Sequence, residues 1–277
     1  MNTSPPSSNN PILPALLRVF NWTEAMLLLI AGSVFFLPDL VRPHWPWVIA
    51  PFNAGFVGAV YLGSFTATAL MVLHNRWAPA RIVLPMIFVF TTIVLGIILF
   101  NLDKFDFQNP VTFVWILFYI ALPINSAYHL WLLRDLAPAN AHPTNERWRY
   151  FLFAFAALLG LYGLTLIVAP VAASAFWPWP IDAFHGQMYS GAFITMAVGS
   201  YLIARKAASV EWQTLGLTLI VIAATSIVGL VWVNATVPLD KKVNWALSGT
   251  WAWLILIAVI GATGVAMFSH SRQIKNP

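Results

Sequence analysis

Cysteine is absent from the chain, which excludes disulfides, thiolate metal sites and a cysteine nucleophile and leaves the redox compartment undetermined. Charge is almost as scarce: Asp, Glu, Lys and Arg make up 8% of the residues, against roughly 25% in an ordinary soluble domain. The formal net charge is +5, but the basic residues are scattered between apolar runs, so the clustered basic face that nucleic acid requires is missing. Catalytic signatures are lacking as well. There is no His-Glu metal helix motif, Walker loop, nucleophile elbow or Gly-rich dinucleotide loop, so enzymatic activity is not expected, no catalytic or metal-ligating residue is assigned, and no motif names a cofactor. A basic leader ahead of a short apolar core is also missing. The opening MNTSPPSSNNPI reads instead as the start of a disordered tail over residues 1–20, too polar to offset its ordering entropy by burial.

What the chain does have is apolar length. Hydrophobic residues make up 60% of it, and a helix that crosses the hydrocarbon core needs about 20 mostly apolar residues. Eight stretches qualify: 21–38, 52–73, 82–101, 111–133, 150–170, 186–204, 213–233 and 245–269. They are continuously apolar rather than alternating, which argues against a β-barrel. The expected fold class is an all-α integral membrane protein of eight transmembrane helices. No predicted span carries a central Asp, Glu, Lys or Arg. Glu24 is assigned to the first turns of the first helix, where a carboxylate complements the helix N-terminus, with proton coupling as the alternative. Ten Lys and Arg residues fall on the side of the two termini and four, Arg42, Lys104, Lys241 and Lys242, on the other. That bias places both termini in the cytoplasm.

The chain repeats itself. Trp45-Pro46-Trp47 recurs as Trp177-Pro178-Trp179, with Pro38 and Phe52 matching Pro170 and Phe184 at the same offset of 132. Further on, Leu102-Asp103-Lys104 matches Leu239-Asp240-Lys241 at 137, and Thr112 and Trp115 match Thr250 and Trp253 at 138. Ordered recurrence at a slowly growing offset marks repeated structural units. Two same-topology four-helix repeats are therefore expected, at 21–134 and 150–269, joined by a linker at 135–149 and followed by a tail at 270–277. Because four spans return the chain to its starting side, the repeats should be related by a pseudo-twofold axis along the membrane normal. The element of a proline-ended helix, Trp-Pro-Trp-Pro and a second helix resembles a group of uncharacterised bacterial polytopic membrane proteins that carry it once or twice. Residues Pro170 through Gly191 carry the likeness best, and the first copy departs with Val48 where the second has Pro180. The resemblance implies a bacterial inner-membrane protein and no particular activity.

Four sets of side chains are candidates for function. The fourth helix holds Asn125, Ser126 and His129 on one face, one turn after Pro123, whose ring frees a backbone carbonyl. The matching positions of the second repeat are Gly261, Thr263, Gly264 and Met267, a small-residue packing face. This divergence makes Asn125, Ser126 and His129 a candidate ligand or permeation site. His74 and His129 could meet if their helices are neighbours, a weak pattern for bis-His haem. Asn53 and His185 each lie eight residues after the first Trp of their Trp-Pro-Trp and form, with Asp182, a candidate outer binding surface. Trp45, Trp47, Trp177 and Trp179 are expected at headgroup depth as interfacial anchors.

These features support three functional expectations. The first is a non-catalytic membrane scaffold, assembly partner or sensor that binds membrane lipid or another membrane protein. The second is a facilitator for a neutral or hydrophobic small molecule, and the third a haem-binding membrane protein.

Overall fold

The structure is a computed structural model that describes residues 10–136 and 141–274. It is all-α apart from two short pairings. Its eight long helices are α1 (Ala15–Val34), α2 (Pro51–His74), α3 (Trp77–Phe100), α4 (Pro110–Leu132), α5 (Glu146–Val168), α6 (Ala183–Arg205), α7 (Ser209–Thr236) and α8 (Ser248–Gln273). Local chemistry sets several starts. Asn109, Asn145 and Asp182 accept backbone N–H groups of the first turns of α4, α5 and α6, which would otherwise lack partners. Pro51 and Pro110 open α2 and α4, where a missing N–H costs nothing.

Seven of these helices are long and apolar enough to cross a membrane, and the chain is a helical multi-pass membrane protein. The exception is α6, with His185, Gln187, Ser190, Ser200 and three glycines. Fourteen of its 23 residues are buried, as are fourteen of 24 in α2, so α6 is one of the inner helices.

Packing follows a reciprocal plan. Helix α1 packs on α2 and α5 on α6; α4 packs on α3 and α8 on α7; and α2 crosses to α7 as α6 crosses to α3. The four inner helices α2, α3, α6 and α7 hold the centre, while α1, α4, α5 and α8 expose rows of large apolar side chains. Small residues permit the close crossings. A Cβ added at Gly264 would stand 2.7 Å from the Gly216 carbonyl oxygen, so α7 and α8 touch backbone to backbone, as membrane helices do where small residues meet.

Smaller features recur in the same order. One-turn helices occupy Pro38–Val41 and Pro170–Ala173, and 3₁₀ turns Leu102–Lys104 and Leu239–Lys241. Ile12 pairs with Arg76 before α3, and His142–Pro143 pair with Lys206–Ala207 before α7. The Thr112 hydroxyl donates to the Asp106 carbonyl, and that of Thr250 to the Asn244 carbonyl.

The expected termini of the first element need correcting. Residues 10–20 are not a disordered tail: Leu13 and Leu17 are buried and α1 starts at Ala15. Residues 1–9 lie outside the described residues, as do 137–140 of the expected linker. The last residues of that linker are already helical from Glu146, and α8 runs on to Gln273 rather than stopping at 269. Apolar side chains on the packed face of α1, beginning with Leu17, extend that helix upstream of the point where hydropathy alone placed it.

Candidate functional site

The two Trp-Pro-Trp stretches lie at one end of the bundle, and their second tryptophans reach across it. The Trp47 indole N–H donates to His185 Nε2 at 3.2 Å, and the Trp179 indole N–H donates to Asn53 Oδ1 at 2.8 Å. Each tie joins the first four helices to the last four. An indole can only donate, so His185 Nε2 accepts and its proton sits on Nδ1. That atom faces Asp182 Oδ2 at 2.7 Å, while the His185 backbone N–H donates to Asp182 Oδ1. Partial burial pushes the Asp182 carboxyl up, but the bonds from the His185 ring and backbone outweigh it and hold the carboxyl below the ordinary aspartate value.

This geometry corrects two expectations. Asn53 and His185 are 2% and 3% exposed and spend their polar atoms on tryptophans, so they form an internal clamp and not an outer binding surface. Trp47, Trp177 and Trp179 are buried and Trp45 is half-buried, so these indoles pack inside the protein instead of anchoring at headgroups. Trp45 stands edge-on to Trp47 at 5.0 Å and Trp177 edge-on to Trp179 at 5.1 Å. Trp115 of α4 closes the first cluster and Trp253 of α8 the second.

Beside the first cluster, a cavity of about 270 Å³ opens among α1, α2, α3 and α4, with α6 and α7 behind it. Its wall is mainly apolar: Leu28 and Ala31 from α1, Val83, Ile87 and Phe90 from α3, Phe118 and Leu122 from α4. Set into it are Trp45, Tyr61, Trp115, Tyr119 and Glu24. The aromatic polar atoms are linked, since Trp115 Nε1 donates to Tyr61 Oη at 3.3 Å and the Tyr61 and Tyr119 hydroxyls are 3.4 Å apart. Glu24 is not: it is 7% exposed, and its Oε2 has no hydrogen-bond partner. Trp45 Nε1 and Thr195 Oγ1 in the same wall are likewise without partners. Because α1 begins at Ala15, Glu24 is the tenth of its 20 residues. It sits at mid-helix and not, as the sequence implied, in the first turns.

The opening lies between α1 and α4. Each packs on its own inner neighbour rather than on the other, and Leu27, Val111 and Val114 at the cavity edge are exposed. A smaller void of about 30 Å³ is lined both by Trp47 and His185 of the clamp and by Tyr61 and Tyr119 of the cavity wall.

The remaining candidates fall elsewhere. Asn125, Ser126 and His129 are buried on one face of α4, as expected, but do not line the cavity. The His129 Nδ1 lies 2.9 Å from the Asn125 carbonyl oxygen of its own helix. His74 is exposed and lines a separate cavity with Asn10, Arg76 and Ser209. No hydrogen bond or ring contact joins His74 to His129 among the described residues. Gly216 of α7 takes up the small-residue face around Gly264. At the end opposite the clamp, Arg81 of α3 donates from Nε and Nη2 to the Glu211 carboxylate of α7, at 2.7 Å each.

Sequence reasoning missed Glu24, Tyr61, Trp115 and Tyr119 as one site. The available signal was Leu16, Leu17, Val19 and Phe20 before Glu24, which continue the apolar run upstream and put the carboxylate at mid-helix. Comparison of the chain with protein-family models, curated proteins and solved structures finds no match.

Proposed function

We propose that the chain is an inner-membrane protein of eight spans in two four-helix repeats, with both termini in the cytoplasm. Its proposed role is to take up a small hydrophobic molecule laterally from the bilayer, as a facilitator does. The eight-span arrangement is supported by the 23-residue length of α6, enough for about 30 Å of hydrocarbon. The repeat is supported by the reciprocal packing of α2 on α7 and α6 on α3 and by the mutual Trp–Asn and Trp–His ties. The distribution of Lys and Arg supports the orientation.

The observation that carries the function is the cavity of about 270 Å³ open between α1 and α4. It lies near the small end of the range of ligand sites, about 300–1,000 Å³, and has their usual make-up of apolar walls and a few polar groups. A scaffold role draws less support. The small-residue face it needs for a partner is used inside the molecule by α7.

Binding tests the proposal directly. The purified protein is titrated with a lipophilic fluorophore, read by energy transfer from the wall residues Trp45 and Trp115. Saturable binding is expected, weakened at least tenfold by Ala31→Phe or Ser64→Phe, which fill the cavity. Leu161→Phe, on an exposed face of α5, should leave it unchanged. Equal binding by all four proteins would refute a site in this cavity.

A further inference from the structure

The cavity's one carboxylate has no protein cation to pair with. No Lys, Arg or His lines the wall, and Arg18, six residues earlier on α1, forms no ion pair with Glu24 among the described residues. A buried carboxyl without a partner is costly, and a carboxyl at mid-membrane points to a ligand or an ion pathway. The aromatic side chains beside it narrow the choice. Trp45, Tyr61, Trp115 and Tyr119 line the same cavity, with Trp115 and Tyr119 ring centroids 4.3 Å apart and Trp45 and Trp115 6.3 Å apart. Aromatic faces attract cations, and most strongly where water is excluded. A carboxylate among tryptophan and tyrosine rings is a donor set for a basic nitrogen. It repels a carboxylate or phosphate and has little use for a plain hydrocarbon.

The rest of the molecule agrees. At the offsets that align the two halves, Glu24, Tyr61 and Tyr119 correspond to Ala156, Phe193 and Ile257. These three are buried in the core. The carboxylate and the two phenols of the site are thus replaced by apolar side chains in the other half, while the structural tryptophans Trp45 and Trp115 are matched by Trp177 and Trp253. Packing needs are met equally by both sets, so packing alone does not account for the carboxylate and the two phenols.

We infer that the cavity binds a compact lipophilic amine, its charged nitrogen paired with Glu24 against the tryptophan and tyrosine rings and its apolar body directed toward the opening between α1 and α4. The inference rests on the cavity being a ligand site. Its volume suits a small amine rather than a whole two-chain lipid, and the exposed Leu27, Val111 and Val114 at the rim make the bilayer the route of entry.

The test uses the full-length protein in detergent and two probes, a dansyl-labelled alkylamine and its N-acetyl amide, which have the same fluorophore and chain but differ in charge. The native protein should bind the amine at least about tenfold more tightly than the amide, in keeping with a desolvated charge-assisted contact. Glu24→Gln should lower amine affinity to that of the amide and leave amide binding as it was. Equal binding of amine and amide by the native protein overturns the inference without any variant, and so does a preference that survives Glu24→Gln. In both cases saturable amide binding, lost in Ser64→Phe, would still support a hydrophobic site. Saturable binding of neither probe would overturn both readings.

Discussion

At the scale of single residues, the clamp shows how a polar group is made acceptable inside an apolar bundle. Trp179 and Asn53, and Trp47 and His185, each supply one donor and one acceptor across the interface. Removing one partner strands the other. Trp179→Phe keeps most of the ring packing but leaves Asn53 Oδ1 without its donor, and should cost about 1–3 kcal/mol, read as a lowered unfolding midpoint in detergent. Asp182 adds a pH dependence. Because its folded carboxyl is held below the ordinary aspartate value, its contribution is fully present above about pH 4 and is lost as pH falls through the lower folded value. Acid below about pH 4 should therefore remove an increment of stability that Asp182→Asn lacks from the start. An acid response identical in native and variant proteins would show that the contact contributes nothing.

At the scale of helices, close approach and one buried ion pair decide which elements meet. Gly216 and Gly264 let α7 and α8 touch. Arg81 ties α3 to α7 through Glu211, whose side chain is fully buried and also accepts the Ala208 backbone N–H. Arg81→Met leaves that carboxylate buried with its cation gone, at a cost of about 3–5 kcal/mol. Adding Glu211→Gln, which keeps an acceptor for Ala208, should recover most of the loss. If thermal unfolding shows no such recovery, Arg81 acts through packing and not through its charge. Seven of the eight helices were legible from hydropathy, since long apolar runs have few other fates, while α6 falls short of that apolarity. Their ends were less so. The start of α1 was misjudged by six residues because Pro14 caps it without a side-chain hydrogen bond, leaving no Ser, Asp or Asn signal at the boundary. That slip put Glu24 at the membrane edge and concealed the site.

At the scale of the whole molecule, the absence of cysteine makes topology simple to measure. Single cysteines at the exposed loop positions Asp103 and Asp240 should react with a membrane-impermeant maleimide in intact cells, and one at Arg147 only after permeabilisation. Labelling of Arg147→Cys from outside would reverse the proposed orientation, and labelling of Asp103→Cys without Asp240→Cys would break the equivalence of the two halves. An ordered recurrence of motifs was legible in the sequence. How the helices meet was not, because periodicity carries no information about which helix faces which.

The sequence alone therefore determined the solvent, the helical class and the recurrence of elements, all of which follow from apolar length and order along the chain. Tertiary structure decided the chemistry. It turned Trp47, Trp179, Asn53 and His185 from surface features into an internal clamp, because crossing helices bring residues more than a hundred positions apart within hydrogen-bond reach. It also gathered Glu24 with Tyr61, Trp115 and Tyr119 around one cavity. Those residues come from three helices, and only the packing of α1 and α4 on different inner neighbours leaves room between them for a ligand.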